Sequence, residues 1–235
     1  MKSWLVIGIS IVIGMAALFV SQSSLAASSG GGLGGGSEFT FGIGYSGATQ
    51  SDINSAASAE GASGAQLSGG MEYSVTYLYR FPSSIFALAF RPSYFTQTAG
   101  ASGMSNSVTA ILFYPMLRFY PLESPMFHLY MQAGVGYASL SGTTTYNSAS
   151  VSYTGTDFGA IAGIGVEICF TDHQCATVEG NARYNAIPRS IVGSTTGTTV
   201  GNLSTPTGHE LEYSSSDVQN TLSGVVGIIA YTYKF

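Results

Sequence analysis

The chain has 235 residues, with 7 Lys and Arg against 12 Asp and Glu, a formal net charge of −5. This acidic balance argues against nucleic-acid binding, which leans on basic patches. Only 8% of residues are charged, while Gly (31), Tyr (15) and Phe (13) are plentiful, and beyond the N-terminal region no stretch is apolar long enough to cross a membrane as a helix.

The N-terminus carries Lys2, an uncharged run from Trp4 to Val20, and then Ser21-Gln22-Ser23-Ser24-Leu25-Ala26-Ala27. Ser24 and Ala26 fit a small-x-small cleavage pattern, as do Leu25 and Ala27, so residues 1–26 read as an export signal. An uncleaved membrane anchor is the alternative. No cysteine follows the run, which speaks against a lipoprotein. Residues 27–37 are Gly/Ser-rich and read as a flexible periplasmic lead-in.

From Glu38 to the end, segments alternate with period two between turn-rich stretches. The first sets Phe39, Phe41, Ile43 and Tyr45 against Glu38, Thr40, Gly42 and Gly44. The second sets Met71, Tyr73, Val75, Tyr77 and Tyr79 against Glu72, Ser74, Thr76, Leu78 and Arg80. The third runs from Phe86 to Tyr94, the fourth from Ala110 to Phe119, the fifth from Phe127 to Tyr137. The sixth runs from Asp157 to Phe170, and the seventh, weaker, from Ala176 to Tyr184. Short connectors near Pro82, Glu123 and Asp172 alternate with long ones at 50–68, 98–106, 141–155 and 188–217, of which parts of 141–155 and 188–203 are rich in Thr, Val and Tyr and are candidates to extend hairpins above the membrane. Short turns at one end and long loops at the other is the pattern of an outer-membrane barrel. A soluble barrel of the lipocalin kind would put its apolar face inside. Here the bulkier face is capped by aromatics at both ends, as in membrane girdles.

The eighth segment is the tail Gly227-Ile228-Ile229-Ala230-Tyr231-Thr232-Tyr233-Lys234-Phe235. Ile229, Tyr231, Tyr233 and Phe235 share one face, because strand side chains alternate. Tyr231, Tyr233 and Phe235 resemble the C-terminal signal by which barrel assembly machinery recognises bacterial outer-membrane proteins. The whole region 38–235 resembles the small OmpA/OmpX-type, opacity-protein-like family of outer-membrane barrels. The expected fold is therefore all-β: an eight-stranded antiparallel transmembrane β-barrel, an up-and-down meander with the C-terminus in the periplasm and the long loops outside.

In that phase, Arg80, Arg91, Arg118, Arg183 and Lys234 point inward, as do Glu38, Glu72, Glu167 and Glu179. On the lipid face each charge would cost roughly 2–4 kcal/mol near the midplane. The lumen of an eight-stranded barrel is just wide enough for side chains to fill. We expect a lumen ionic network of Glu72, Arg91, Arg118, Glu167, Glu179 and Arg183. A narrow pore lined by the same charges is the rival, and inward Leu78, Leu112 and Met116 favour passage of small or apolar solutes, in the manner of the OmpW-type barrels.

Cys169 and Cys175 flank a short turn with the same inward phase, which predicts a disulfide in the oxidising periplasm. A metal site of Cys169, Cys175 and His173 is the alternative. Neither His128 nor His209, beside Glu210 and Glu212, brings a nucleophile and an orienting carboxylate together. The expectation is therefore no enzyme, although some eight-stranded barrels modify lipids, and no cofactor or metal. Pro92 and Pro115 fall mid-strand, where proline is normally excluded. They are expected to face each other, with their missing N–H groups toward the outer neighbours, and to produce a local kink or bulge there. Partners are expected to be outer-membrane lipids, the assembly machinery, and an extracellular ligand met through the four loops.

Overall fold

The computed structural model describes residues 36–197, 203–204 and 206–235. The expected export signal, 1–26, and nearly all of the lead-in lie outside the described residues. Eight long strands run β1 Gly36–Ser46, β2 Gly70–Arg80, β3 Phe86–Ala101, β4 Met104–Glu123, β5 Phe127–Tyr146, β6 Ala149–Cys169, β7 Gln174–Tyr184 and β8 Gly224–Lys234. β1 opens at Gly36, two residues ahead of the expected Glu38. Each strand pairs antiparallel with the next, and β8 closes on β1 through Phe39↔Tyr233, Phe41↔Tyr231 and Ile43↔Ile229. Closure leaves no free edge around the ring, which is the condition for strands to sit in hydrocarbon.

Alternation sets the two faces. Outward lie Phe41, Ile43, Tyr73, Ile111, Phe113, Leu117, Met131, Phe158 at 75% exposure and Ile229 at 68%. A continuous apolar belt of this kind is untenable in water and matches a lipid surround. Inward lie the charges: Arg91 and Arg118 are both 1% exposed, and Glu167 is 0%.

Strand length is uneven. β1, β2, β7 and β8 have 11 residues each, about 36 Å of chain, whereas β4, β5 and β6 have 20 or 21, about 66–70 Å. An apolar band about 25 Å tall is spanned by the short set alone, so β3–β6 rise beyond it as a wall. One expectation is corrected here and one is met. The stretch 98–106 is not a long loop but the top of a hairpin closed by Ser102-Gly103, and 141–155 extends the β5–β6 hairpin beyond the band, closed by Asn147-Ser148. Ser102, Gly103 and Asn147 have positive φ, the backbone that tight hairpin turns require. In 141–155 the run Thr143-Thr144-Thr145-Tyr146, with Val151 and Tyr153, favours strand over loop.

The other two long connections fold back over the lumen. Residues 50–68 include helix α1 Ser51–Ala59, which buries Ile53, Ala56 and Ala57. Between β7 and β8, a strand at Ile191–Thr196 pairs with the upper half of β6. Gln50 joins these connections: its side-chain amide donates to the Thr221 carbonyl at 2.7 Å, and its oxygen accepts from the Thr221 N–H at 2.9 Å. One apolar cluster runs from the lid residues Ile53, Leu67, Leu211, Val218 and Leu222 down to Leu112, Met116 and Tyr130 in the barrel.

The prolines do not oppose each other, and pairing toward their outer neighbours lapses there without the expected bulge. Pro92 pairs with Phe113 and Pro115 with Phe90. The β2–β3 ladder skips Val75 and Thr76, which fall opposite Pro92 and Arg91, and the β4–β5 ladder skips from Phe113 to Met116 past Pro115, both without change of register. A missing N–H cannot donate, so each lapse falls on the outer neighbour. The register shift lies elsewhere, between Phe119 and Leu122, beside Pro121.

Candidate functional site

The lumen is the site that the sequence singles out, and its side chains meet in two groups. The first lies toward the short turns. Glu179 of β7 receives Arg91 Nη2 at 2.7 Å, Arg118 Nη2 at 3.2 Å, the Tyr130 hydroxyl at 2.5 Å and Gln132 Nε2 at 3.1 Å. Arg118 also donates to Glu167 at 3.0 Å and to Gln132 Oε1, and its guanidinium lies 3.8 Å over the Tyr130 ring. Strands β3, β4 and β5 thus supply the β7 carboxylate with two guanidinium groups and two neutral donors. Charge-assisted bonds in a desolvated space are the strong kind.

His128 lies beside this group, with Nδ1 3.2 Å from Glu167 and 2.9 Å from Lys234 Nζ. Lys234 is also 3.8 Å from Glu38. The second group lies higher, where Arg183 donates to Glu72 at 2.6 Å, to Ser46 Oγ at 2.9 Å and to the Leu222 carbonyl at 2.7 Å. The six network residues expected from phase are all buried, but the contacts divide them. Glu72 and Arg183 form their own group and tie the barrel to the lid.

Several partners were not anticipated. Glu123 ion-pairs with Arg80 through both carboxylate oxygens. Tyr130 and Gln132 carry inward phase, but nothing in the sequence shows that they would share one acceptor with two arginines. Inward glycines give the rings room. A methyl at Gly165 would fall 2.2 Å from the Tyr130 ring, and one at Gly136 2.4 Å from the Tyr114 ring, both impossible contacts.

Cys169 and Cys175 are register partners across the β6–β7 turn and are disulfide-bonded, with Cα atoms 3.9 Å apart. Neither is left as a thiolate for a metal, and His173 instead contacts the Lys234 carbonyl. Among the described residues no group of three or more His, Cys, Asp or Glu is placed to hold a metal ion. His209, Glu210 and Glu212 line a surface hollow with Ile191 and Pro206, and Glu210 pairs with Arg189 at 3.0 Å. On the hairpin tops, Tyr146 donates its hydroxyl to Glu60, which raises its pKa above the ordinary value.

The tail residues Tyr231, Tyr233 and Phe235 project outward. Phe235 packs edge-on against Phe39 and Tyr233, with centroids 5.8 and 5.0 Å apart, and its N–H donates to the Ser37 carbonyl. A tail that zips to the first strand and shows rings to the surround completes a ring of strands with a filled interior and an apolar exterior. The profile of the outer membrane protein beta-barrel domain family matches residues 12–205. The chain belongs to that family. Its place is accordingly the bacterial outer membrane. Among solved structures, the outer membrane protein OprG from Pseudomonas aeruginosa is similar at 12% identity and a TM-score of 0.57, covering 87% of this chain and 98% of that one. A major outer membrane protein from Thermus thermophilus is similar at 12% identity and a TM-score of 0.53, covering 86% and 99%. Identities this low speak for the barrel fold alone. No curated protein matches the chain.

Proposed function

We propose that this barrel is a sealed scaffold that holds a recognition surface above the outer membrane. The supporting observation is the double closure of the lumen. The Arg91–Glu179–Arg118–Glu167 group fills it toward the short turns, and the lid built on Ile53, Leu67, Val218 and Leu222 fills it toward the long loops. In this reading both termini and the short turns face the periplasm, and the hairpin tops and lid face outward. The ligand of the loops 50–68, 98–106, 141–155 and 188–217 is extracellular, and Tyr231, Tyr233 and Phe235 serve the assembly machinery. Rigid scaffolds commonly carry recognition on such loops. No catalytic role is assigned.

Proteoliposomes provide the test. Vesicles carrying the refolded protein should swell no faster in small sugars than empty ones, and replacing residues 51–66 by a short Gly/Ser turn should remove binding to cells or surfaces. Rapid swelling with the intact chain would count against the sealed reading.

A second reading rests on the Pro115 lapse. There Leu88, Leu117, Ala133 and Val135 surround a dent on the lipid face that reaches inward to Met116. A side passage for small apolar solutes would use this dent, and uptake of such a solute that stops in Met116→Trp would favour it.

A further inference from the structure

Halfway up the lumen, several polar groups are buried yet unmatched. Tyr114 is 1% exposed and Asn185 0%, and neither the Tyr114 hydroxyl nor either end of the Asn185 side-chain amide has a hydrogen-bond partner among the described residues. Ser93 Oγ and Arg91 Nη1 are in the same position. A buried polar group left unmade costs about 1–3 kcal/mol, and native interiors keep such groups few.

The register brings them together. Arg91 pairs with Tyr114 across β3 and β4, and Gly136 pairs with Gly159 across β5 and β6. The Tyr114 ring lies over Gly136, while a methyl at Gly159 would fall 2.5 Å from Asn185 Nδ2. Tyr114 and Asn185 therefore cover two cross-strand neighbours that have no side chains of their own. Ser93 is two residues above Arg91 on β3, on the same inward face.

We propose that Tyr114 and Asn185, with Ser93 and Arg91 Nη1 at its edge, enclose an internal hydration site whose ligand is ordered water. The donor set argues for a neutral ligand. The Asn185 amide is unmatched at both ends, its nitrogen a donor and its oxygen an acceptor, so a ligand serving both must accept and donate, as water does and a simple ion does not. The charges nearby are already engaged, Arg91 by Glu179 and Arg183 by Glu72. Water needs two to four polar partners to stay in an interior, and this arc supplies that number. The lumen is then layered: an apolar lid, a wet middle and an ionic base. The site stands whether or not the loops recognise a partner.

The full-length protein, refolded in detergent micelles, tests it. Tyr114→Phe removes one oxygen and little volume. If that hydroxyl holds water, the folding equilibrium constant in urea titration should fall roughly tenfold, and NMR should show cross-relaxation from water to the Asn185 side-chain amide that weakens in Tyr114→Phe. An unmatched hydroxyl predicts the reverse, a variant as stable as the parent or more so. Either that result, or absence of the water cross-peaks in the parent, overturns the proposal. Tyr114→Phe is the deciding variant; Asn185→Leu, which adds bulk and can fail to fold, is secondary.

Discussion

Glu123 sits one residue out of step with its own strand and so meets Arg80. On β4, the odd-numbered residues Ile111, Phe113 and Leu117 face lipid, and strict alternation would send Glu123 with them. The register shift between Phe119 and Leu122 resets the phase, and Glu123 then pairs with inward His128 on β5 and closes an ion pair with Arg80. A bulge inserts one residue and turns every later side chain to the other face. Glu123 remains partly exposed, at 26% of its side chain, so the pair is worth less than a buried one. Glu123→Ala should lower stability by about 1 kcal/mol. Deleting Pro121 to restore plain alternation should cost more. Urea unfolding followed by tyrosine fluorescence or by heat-modifiable gel mobility would show both changes.

Glu179 is the keystone of the ionic base. Glu179→Ala leaves Arg91 and Arg118 without their shared carboxylate in a space closed off from bulk water, and a buried pair broken on one side costs about 3–5 kcal/mol. Refolding yield and urea midpoint should fall further than for any single loop substitution. Gly165→Val should reproduce part of that loss without touching a charge, because a side chain there displaces the Tyr130 ring and its bond to Glu179.

The Cys169–Cys175 bridge closes a turn with a sequence separation of 6. So short a loop constrains the unfolded chain only modestly, by about 2 kcal/mol in the chain-entropy account. The ladder on either side, Glu167↔Thr177 and Ile168↔Ala176, does not depend on it. The double variant Cys169→Ser, Cys175→Ser should therefore still fold and insert, with a lower urea midpoint. A parent reduced by dithiothreitol should match it.

The Tyr146–Glu60 contact gives the outer surface a measurable pH response. Hydrogen bonding to Glu60 favours the neutral phenol, so the Tyr146 pKa lies above its usual 10.0. The contact is complete below the ordinary tyrosine value and is lost as pH rises through the elevated one. NMR of ring-labelled tyrosine, assigned through Tyr146→Phe, should show Tyr146 titrating later than the exposed tyrosines. Glu60→Gln should bring it back toward them.

The eight strands were legible because period two recurs on a chain with few charges, and those charges fall on one phase. Burial of Glu72, Arg91, Arg118, Glu167, Glu179 and Arg183 follows from the same alternation. What alternation cannot give is who meets whom around a ring, since that depends on stagger between strands far apart in sequence. The split between the Glu179 and Glu72 groups arises there. Glu123 reads as part of a short turn, and its inward phase is set only by the bulge before it; Ile161, buried at 4% exposure, is flanked on the inward face by Gly159 and Gly163, which carry no apolar signal of their own. The stretch 98–106 reads as a loop because Gly, Ser and Thr suit both turns and exposed strands, whereas Thr, Val and Tyr already mark 141–155 as a candidate hairpin. Helix α1 was hidden by a run of Ser and Ala whose buried face is only Ile53, Ala56 and Ala57.

Single-channel recording in planar bilayers tests the sealed lumen most directly. The refolded parent should give a flat baseline, and Arg183→Ala, which removes the contact between Glu72, Ser46 and the lid carbonyl of Leu222, should at most add brief, irregular openings. Steady unitary currents from the unmutated protein would contradict the account.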